Sequence, residues 1–255
     1  MIHTLRSFTP TLCEAMDIPL PEYAIANPYL DLKNFKGKIK KALIFCPDAF
    51  GFHALKKIPE LHNALNESST HEVELLSIFP PKTPVCFASL FTGGTPDEHG
   101  IKEYEKPVLK CDTLFDSLIR AGKKVAIVAV KNSSIDLIFR GRSLDYFSMD
   151  YDPLVSAKAL ELLTKNEHDV IIVYHQEYDD LLHDSGLFSE LAVNALHHIV
   201  ESWKLLTREA LKAWKNDFCV AFTPDHGGHI SSDGLGDHGE NIPEDMELRH
   251  FFYLK

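Results

Sequence analysis

Five short apolar runs punctuate the chain, at residues 41–46, 72–78, 124–130, 169–174 and 218–223. Each is rich in Val, Ile and Phe and bounded by Pro, Gly, Asn or Asp, the pattern of strands buried on both faces. Between them lie amphipathic segments of helical length at residues 53–66, 113–121, 153–165 and 188–215. In the longest, Leu191, Ala195, Leu196, Ile199, Trp203, Leu206, Ala210, Leu211 and Trp214 recur at three- and four-residue steps. Strands alternating with helices predict an α/β fold with a largely parallel central sheet covered by helices on both faces. Phe251, Phe252 and Tyr253 read as a final strand completing that sheet. Pro10, Pro19, Pro21 and Pro28 interrupt any period in the first forty residues. Residues 1–40 are therefore expected to form an irregular arm with at most a short helix, and residues 41–255 a single domain.

Composition narrows the function classes. The chain has 255 residues, 45% hydrophobic and 25% charged, with a formal net charge of −11. Those proportions are globular, and the acidity argues against nucleic acid polymers as partners. The five cysteines are scattered and form no CxxC, so a disulfide framework or thiolate zinc site is not expected, and a reducing cytoplasm is. The first six residues lack an apolar signal core, and no run approaches the roughly 18 apolar residues of a membrane span. The expectation is a soluble cytoplasmic protein without membrane contact.

Chemistry collects after the strands. Asp48 follows the first run, Thr83 the second, Asp179 and His183 the fourth, and Asp225 and His226 the fifth. Open α/β sheets bind ligands outside the carboxyl ends of their strands, so four of five exits deliver Asp, Thr or His to one edge. A helical turn places Asp179 and His183, at i and i+4, on one face. Gly227 and Gly228 are expected to make a permissive turn that splays Asp225 and His226 toward one point. His238 lies in another glycine-flanked loop. Carboxylates and imidazoles without thiolate suit zinc or manganese. Taken singly, each motif reads first as a capped turn or a solvated pair. Thr83, fixed between Pro80-Pro81 and Pro84, is a candidate nucleophile, or an N-cap of a helix expected over residues 85–91.

The run TPVCFASLFTGGTPDEHGI at residues 83–101 resembles the nucleophile segment of the alkaline phosphatase superfamily. It is most similar to the type I phosphodiesterase/nucleotide pyrophosphatase branch, in which a Thr is followed at matching spacing by TG, P and HGI. Asp48, the DxxxH of Asp179 and His183, the DHGG at residues 225–228 and the later His238 arrive in the family's order. The resemblance implies a two-metal phosphoester hydrolase with a minimal cap. Asp48, Asp225, His226 and Thr83 would hold one divalent ion, and Asp179, His183 and His238 the other. Zinc is the first choice of metal and manganese the second. The substrate would be a small phosphate ester, cleaved by in-line attack of a metal-activated Thr83 through phosphothreonine. The alternatives are a phosphomonoesterase or phosphomutase of the same superfamily, or a non-catalytic metal-binding relative.

One departure bears on the substrate. Where the branch usually has an Asn three residues after the Thr, this chain has Cys86, a weak donor. Lys82, Arg140 and Arg142 are possible substitutes for the missing oxyanion contact, and Cys86 itself and His229 are further substrate-side candidates. A sulfatase motif would need Pro at position 88, where Ala88 stands. His99 is expected to fix its own loop, and His197 and His198 to lie at the surface.

Overall fold

Ten strands are found in the computed structural model, which describes residues 3–255: β1 (His3–Thr4), β2 (Lys41–Pro47), β3 (His71–Leu76), β4 (Val125–Val130), β5 (Asp145–Met149), β6 (Val170–His175), β7 (Phe218–Phe222), β8 (His229–Ile230), β9 (Gly236–Asp237) and β10 (Glu247–Leu254). Eight of them form one sheet in the order β1-β3-β10-β7-β2-β6-β4-β5, and β8 pairs with β9 in a separate hairpin. β10 runs antiparallel to both its neighbours, while the remaining pairings in the large sheet are parallel. All five expected strands are present within one or two residues of their predicted ends. The expected C-terminal strand is longer than its aromatic triplet and lies inside the sheet, between β3 and β7.

The central strands bury both faces, as their unbroken apolar runs require. Every residue of β4, β6 and β7 is buried, and β2 exposes part of its first residue only. Side chains alternate across a strand. Tyr174 therefore meets Phe87 of helix Thr83–Thr92 on one face, while His175 meets Ser156 of helix Asp152–Lys165 on the other. The long helix Glu190–Trp214 joins that second layer, capped at Ser189 by a side-chain bond to the Ala192 N–H at 3.2 Å. Its expected apolar stripe is buried except that Leu191 is exposed and Leu211 only partly covered.

Two elements differ from expectation for identifiable reasons. The helix predicted over residues 53–66 is two helices, Phe52–Lys57 and Pro59–Glu67. Pro59 cannot donate its nitrogen and pushes Ile58 out of the helical region, to φ −127° and ψ 75°. β5 escaped the apolar-run criterion because it is an edge strand with no buried residue. Within the arm, helix Phe8–Met16 buries eight of its nine residues. Pro10 is tolerated there because it falls in the first turn, whose N–H groups lack intrahelical acceptors. Phe8 packs on Phe91 and Phe252, and the Thr9 hydroxyl donates to the Leu90 carbonyl at 2.6 Å. These residues thus share the core of the sheet. No helix among the described residues is long and apolar enough to cross a membrane.

Candidate metal centre

The carboxyl ends of β2, β6 and β7 lie side by side, so their following residues meet at one edge. Asp48 leaves β2 directly before Ala49, which adopts a left-handed φ of 57° and donates its N–H to Asp225 Oδ1 at 3.3 Å. A positive φ in a residue with a Cβ is a strain that surrounding contacts must hold. Gly227 serves a different purpose from the permissive turn expected of it. Its φ is not positive, but a Cβ there would lie 2.0 Å from the Glu244 carbonyl oxygen, and one on Gly51 2.3 Å from Gly227 Cα. Both glycines supply space, letting the loops after β2 and β7 touch backbone to backbone.

Thr83 is the first residue of its helix, two positions earlier than expected, and Lys82 occupies the N-cap position in an extended conformation. The Thr83 side chain does not cap the helix. Its hydroxyl lies 3.4 Å from Asp48 Oδ1 and 3.3 Å from His226 Nε2. Asp179 and His183 belong to helix Glu177–Ser185, with Oδ1 and Nε2 3.6 Å apart. His238 follows β9 and places Nε2 3.5 Å from the same Asp179 oxygen. A Cβ on Gly236 would lie 2.7 Å from the Leu182 carbonyl, so only glycine lets this hairpin approach the helix.

The three imidazoles are oriented alike. Nδ1 of His183, His226 and His238 faces the carbonyls of Gly236, Gly227 and Pro81 at 3.1, 3.0 and 2.9 Å. A carbonyl can only accept, so each Nδ1 carries the proton and each Nε2 offers its lone pair to the cluster. Metal-ligating histidines are commonly fixed in this way. The His226 and His238 rings stack at 4.1 Å between centroids.

Electrostatics sets this edge apart. Asp48, Asp179 and Asp225 are 2%, 9% and 0% exposed, and their ion-pair partners among the described residues are histidines. The buried Asp179 Oδ1 and Asp225 Oδ2 have no hydrogen-bond partner. Burial, followed by repulsion from Asp225 and Asp179, raises the pKa of Asp48 well above the carboxylate range, and burial, followed by repulsion from Asp179, does the same for Asp225. Burial likewise raises that of Asp179, against the pull of His238 and His183. The pKa of His226 is lowered by burial and by neighbouring His238. Unpaired buried carboxylates are costly unless a cation compensates them. Two groups of donor atoms lie within 4.8 Å of one another, Asp179 with His183 and His238, and Asp48 with Asp179 and His226. Asp179 belongs to both groups, whereas the family resemblance assigned it to one.

The remaining candidates are already engaged. The Lys82 ammonium is paired with Glu103. The Cys86 thiol is buried, 3.3 Å from Ser77 Oγ and 3.8 Å from the Ile78 carbonyl, and burial pushes its pKa up. Arg140 is held by Asp136 and Ser148, and Arg142 by Asp116 and the carbonyls of Leu109 and Cys111. Both arginines are internal ties, not free cations for a phosphoryl group. His229 Nδ1 pairs with Asp245 at 2.8 Å. His99 is buried between Ser89 Oγ and the Ile101 N–H, fixing its loop as expected. His197 and His198 are exposed.

Two residues of the centre carried no signal in the chain. The Tyr174 hydroxyl donates to Asp48, yet Tyr174 reads in the sequence only as the end of an apolar strand. Asp245 accepts from His229 and from the N–H groups of Gly239 and Glu240, both at 2.9 Å, while its own carbonyl accepts from Gly227. It thereby ties the loop of His226 to that of His238 across a spacing no local motif reveals.

The fold is that of the alkaline phosphatase superfamily. Within it, the family model for type I phosphodiesterase/nucleotide pyrophosphatase matches residues 42–242, and the chain belongs to that family. None of the curated proteins matches the sequence significantly. Among solved structures, an inactive threonine-to-alanine variant of murine ectonucleotide pyrophosphatase/phosphodiesterase 5 in complex with AMP is similar, with TM-score 0.60 and 22% identity over 76% of this chain and 58% of that one. Phosphonoacetate hydrolase from Sinorhizobium meliloti in complex with phosphonoformate gives TM-score 0.57 and 19% identity over 78% of this chain and 59% of that one. A 2-O GAG sulfatase gives TM-score 0.59 at 13% identity over 85% of this chain and 64% of that one. The chain thus spans about three-fifths of the length of these structures.

Proposed function

We propose that the protein is a two-metal phosphoester hydrolase of the phosphodiesterase/nucleotide pyrophosphatase type, with Thr83 as nucleophile. The observation that carries this reading is the convergence of three buried carboxylates and three inward-facing histidine nitrogens beside the Thr83 hydroxyl, with no lysine or arginine paired to them among the described residues. Oxygen and imidazole donors without thiolate fit zinc first and manganese second. Asp48, Asp225, His226 and Thr83 would hold one ion, Asp179, His183 and His238 the other, with Asp179 near enough to serve both. When bound, the two cations supply charge that stabilises the attacking and leaving oxygens and eases loss of a proton from hydroxyl or water.

The chain's own residues do the rest. Thr83 Oγ attacks phosphorus in line, and the bond to the leaving oxygen breaks as the phosphothreonine ester forms. Water then opens that ester and restores Thr83. The N-terminus of helix Thr83–Thr92 turns its positive end toward the phosphoryl oxygens, lowering the cost of their charge. Asp48, hydrogen-bonded by Tyr174, keeps a fixed position beside the nucleophile.

A small phosphate ester is the substrate class, supported by the AMP bound to one similar structure, while the phosphonoformate on the other shows a small phosphonate held by the same fold. Phosphomonoesters are the second reading, favoured by one observation: position 86 presents a buried, engaged thiol in place of an amide donor. We place the protein in a reducing cytoplasm because its cysteines are free and four of the five are buried. Residues 41–255 are proposed as one hydrolase domain, with helix Phe8–Met16 of the arm packed into its core. The test is turnover of nitrophenyl phosphate against its phosphodiester and nucleotide analogues with zinc or manganese. Thr83→Ala is expected to lower turnover by about 10³-fold or more while both ions remain bound. Undiminished turnover overturns the nucleophile assignment.

A further inference from the structure

The helix bearing Asp179 and His183 starts at Glu177, and no side chain of its own segment caps it. Gln176, at the N-cap position, turns its amide toward Asp180 instead, at 3.0 Å. The first N–H groups of a helix have no acceptor within the helix, so a partner must come from elsewhere. Asp152 provides it. Its Oδ1 accepts from the Gln176 N–H at 2.9 Å and its Oδ2 from the Glu177 N–H at 3.1 Å.

Asp152 is well placed to hold that geometry. It is 4% exposed and is the first residue of helix Asp152–Lys165, whose N-terminal dipole favours a carboxylate. His175 Nδ1 lies 3.5 Å from its Oδ2, and the far side of that ring, Nε2, is 2.9 Å from Ser156 Oγ. The carboxylate is thus backed by a buried imidazole that is itself tethered. Two residues past Glu177, in the same first turn, stands Asp179, the one residue common to both groups of donor atoms.

We propose that Asp152 is a positioning residue of the metal centre, clamping the first turn of helix Glu177–Ser185 so that Asp179 and His183 meet His238 and His226. The inference rests on the two-ion reading and deepens it by naming a residue outside the ligand set. Asp152 belongs to neither group of donor atoms. It acts through two backbone N–H groups that would otherwise leave the turn free to shift, and outer partners of this kind typically alter metal affinity by 10- to 100-fold.

The experiment is a zinc titration by calorimetry on the full chain, first stripped by chelator, as wild type, Asp152→Ala and Asp152→Asn. Thermal unfolding of the metal-free forms is measured alongside. Wild type is expected to take up two ions. In Asp152→Ala one binding event is expected to weaken about tenfold or more. Asp152→Asn keeps the shape and one acceptor oxygen, so it falls between and carries the test if the alanine variant does not fold. A residue that merely stabilised the fold would lower the metal-free Tm and leave both affinities of the folded protein unchanged, and that result overturns the proposal. A wild type that binds no zinc overturns the two-ion reading itself, whereas two unweakened ions in the folded variants overturn only the role of Asp152.

Discussion

At the amino edge of the central sheet, Lys40 pairs with Asp217, the Lys41 ammonium reaches Asn166 and the His168 carbonyl, and His168 holds Asp145 at 2.7 Å. At the carboxyl edge, Asp48, Asp179 and Asp225 pair with histidines and, among the described residues, with no lysine or arginine. Both edges carry aspartates and histidines, but only the amino edge sets lysines beside them. At the amino edge Lys40 meets Asp217 in solvent, where such a pair stabilises little. The carboxyl edge gathers anions in the interior and leaves two of their oxygens without a donor. The comparison teaches that the proposed metal centre is marked by charge lacking a partner inside the protein.

The sharpest way to break this contrast is to separate the two loops of the centre without touching a ligand. Gly227→Ala would place a Cβ 2.0 Å from the Glu244 carbonyl. Overpacking of this kind costs about 1–3 kcal/mol. The expected outcome is a lower Tm together with weakened zinc uptake, read by unfolding and calorimetry. Unchanged uptake in a folded variant would mean that the close approach of the loops is not needed to assemble the centre.

A pH titration sharpens the same contrast. Burial pushes His250 and His175 down to about 3 and His99 down to about 4. These groups are neutral when folded and take up protons near pH 6.5 when unfolded. Their contribution is therefore fully present above pH 6.5 and is lost as pH falls toward those values, by about 1.4 kcal/mol per pH unit for each group. His250 Nε2 faces the carbonyl of Pro224, the residue before Asp225. His250→Gln is expected to flatten the fall of Tm between pH 6.5 and 4, and an unchanged slope would exclude that histidine as a source of acid lability.

The smallest effect belongs to the amino edge. Asp217→Asn, which tolerates the left-handed φ of 58° at this position, removes the charge opposite Lys40, the two side chains being 47% and 74% exposed. A change in stability below about 1 kcal/mol and unaltered turnover are expected. A large loss of turnover would show that the two edges are coupled.

Much of this was legible before folding. The unbroken runs of β2, β4, β6 and β7 announced strands buried on both faces, and the residues following them announced where chemistry collects. Asp179 and His183 could be paired on spacing alone, because a helix repeats every 3.6 residues. β5 was not legible, since an edge strand that is only half covered needs no continuous apolar run. Asp152 and Asp245 were not legible either. Each acts on backbone N–H groups of a segment to which no periodicity connects it, and a backbone donor leaves no trace in residue identity.

The chain by itself therefore determined the strand and helix alternation, and with it the sheet edge at which Asp48, Thr83, Asp225 and His226 must emerge. It determined the donor types as well, and so the kind of ion they suit. Tertiary structure decided which way each donor points: Nδ1 of three histidines on three carbonyls, Tyr174 on Asp48, and glycines that make room for one loop against another. It also removed Arg140 and Arg142 from the pool of free cations by pairing them internally. The physical reason is range. Periodicity and local turn chemistry act over a few residues, whereas burial, orientation and the absence of a partner depend on contacts between segments more than a hundred residues apart, as between Asp48 and His226.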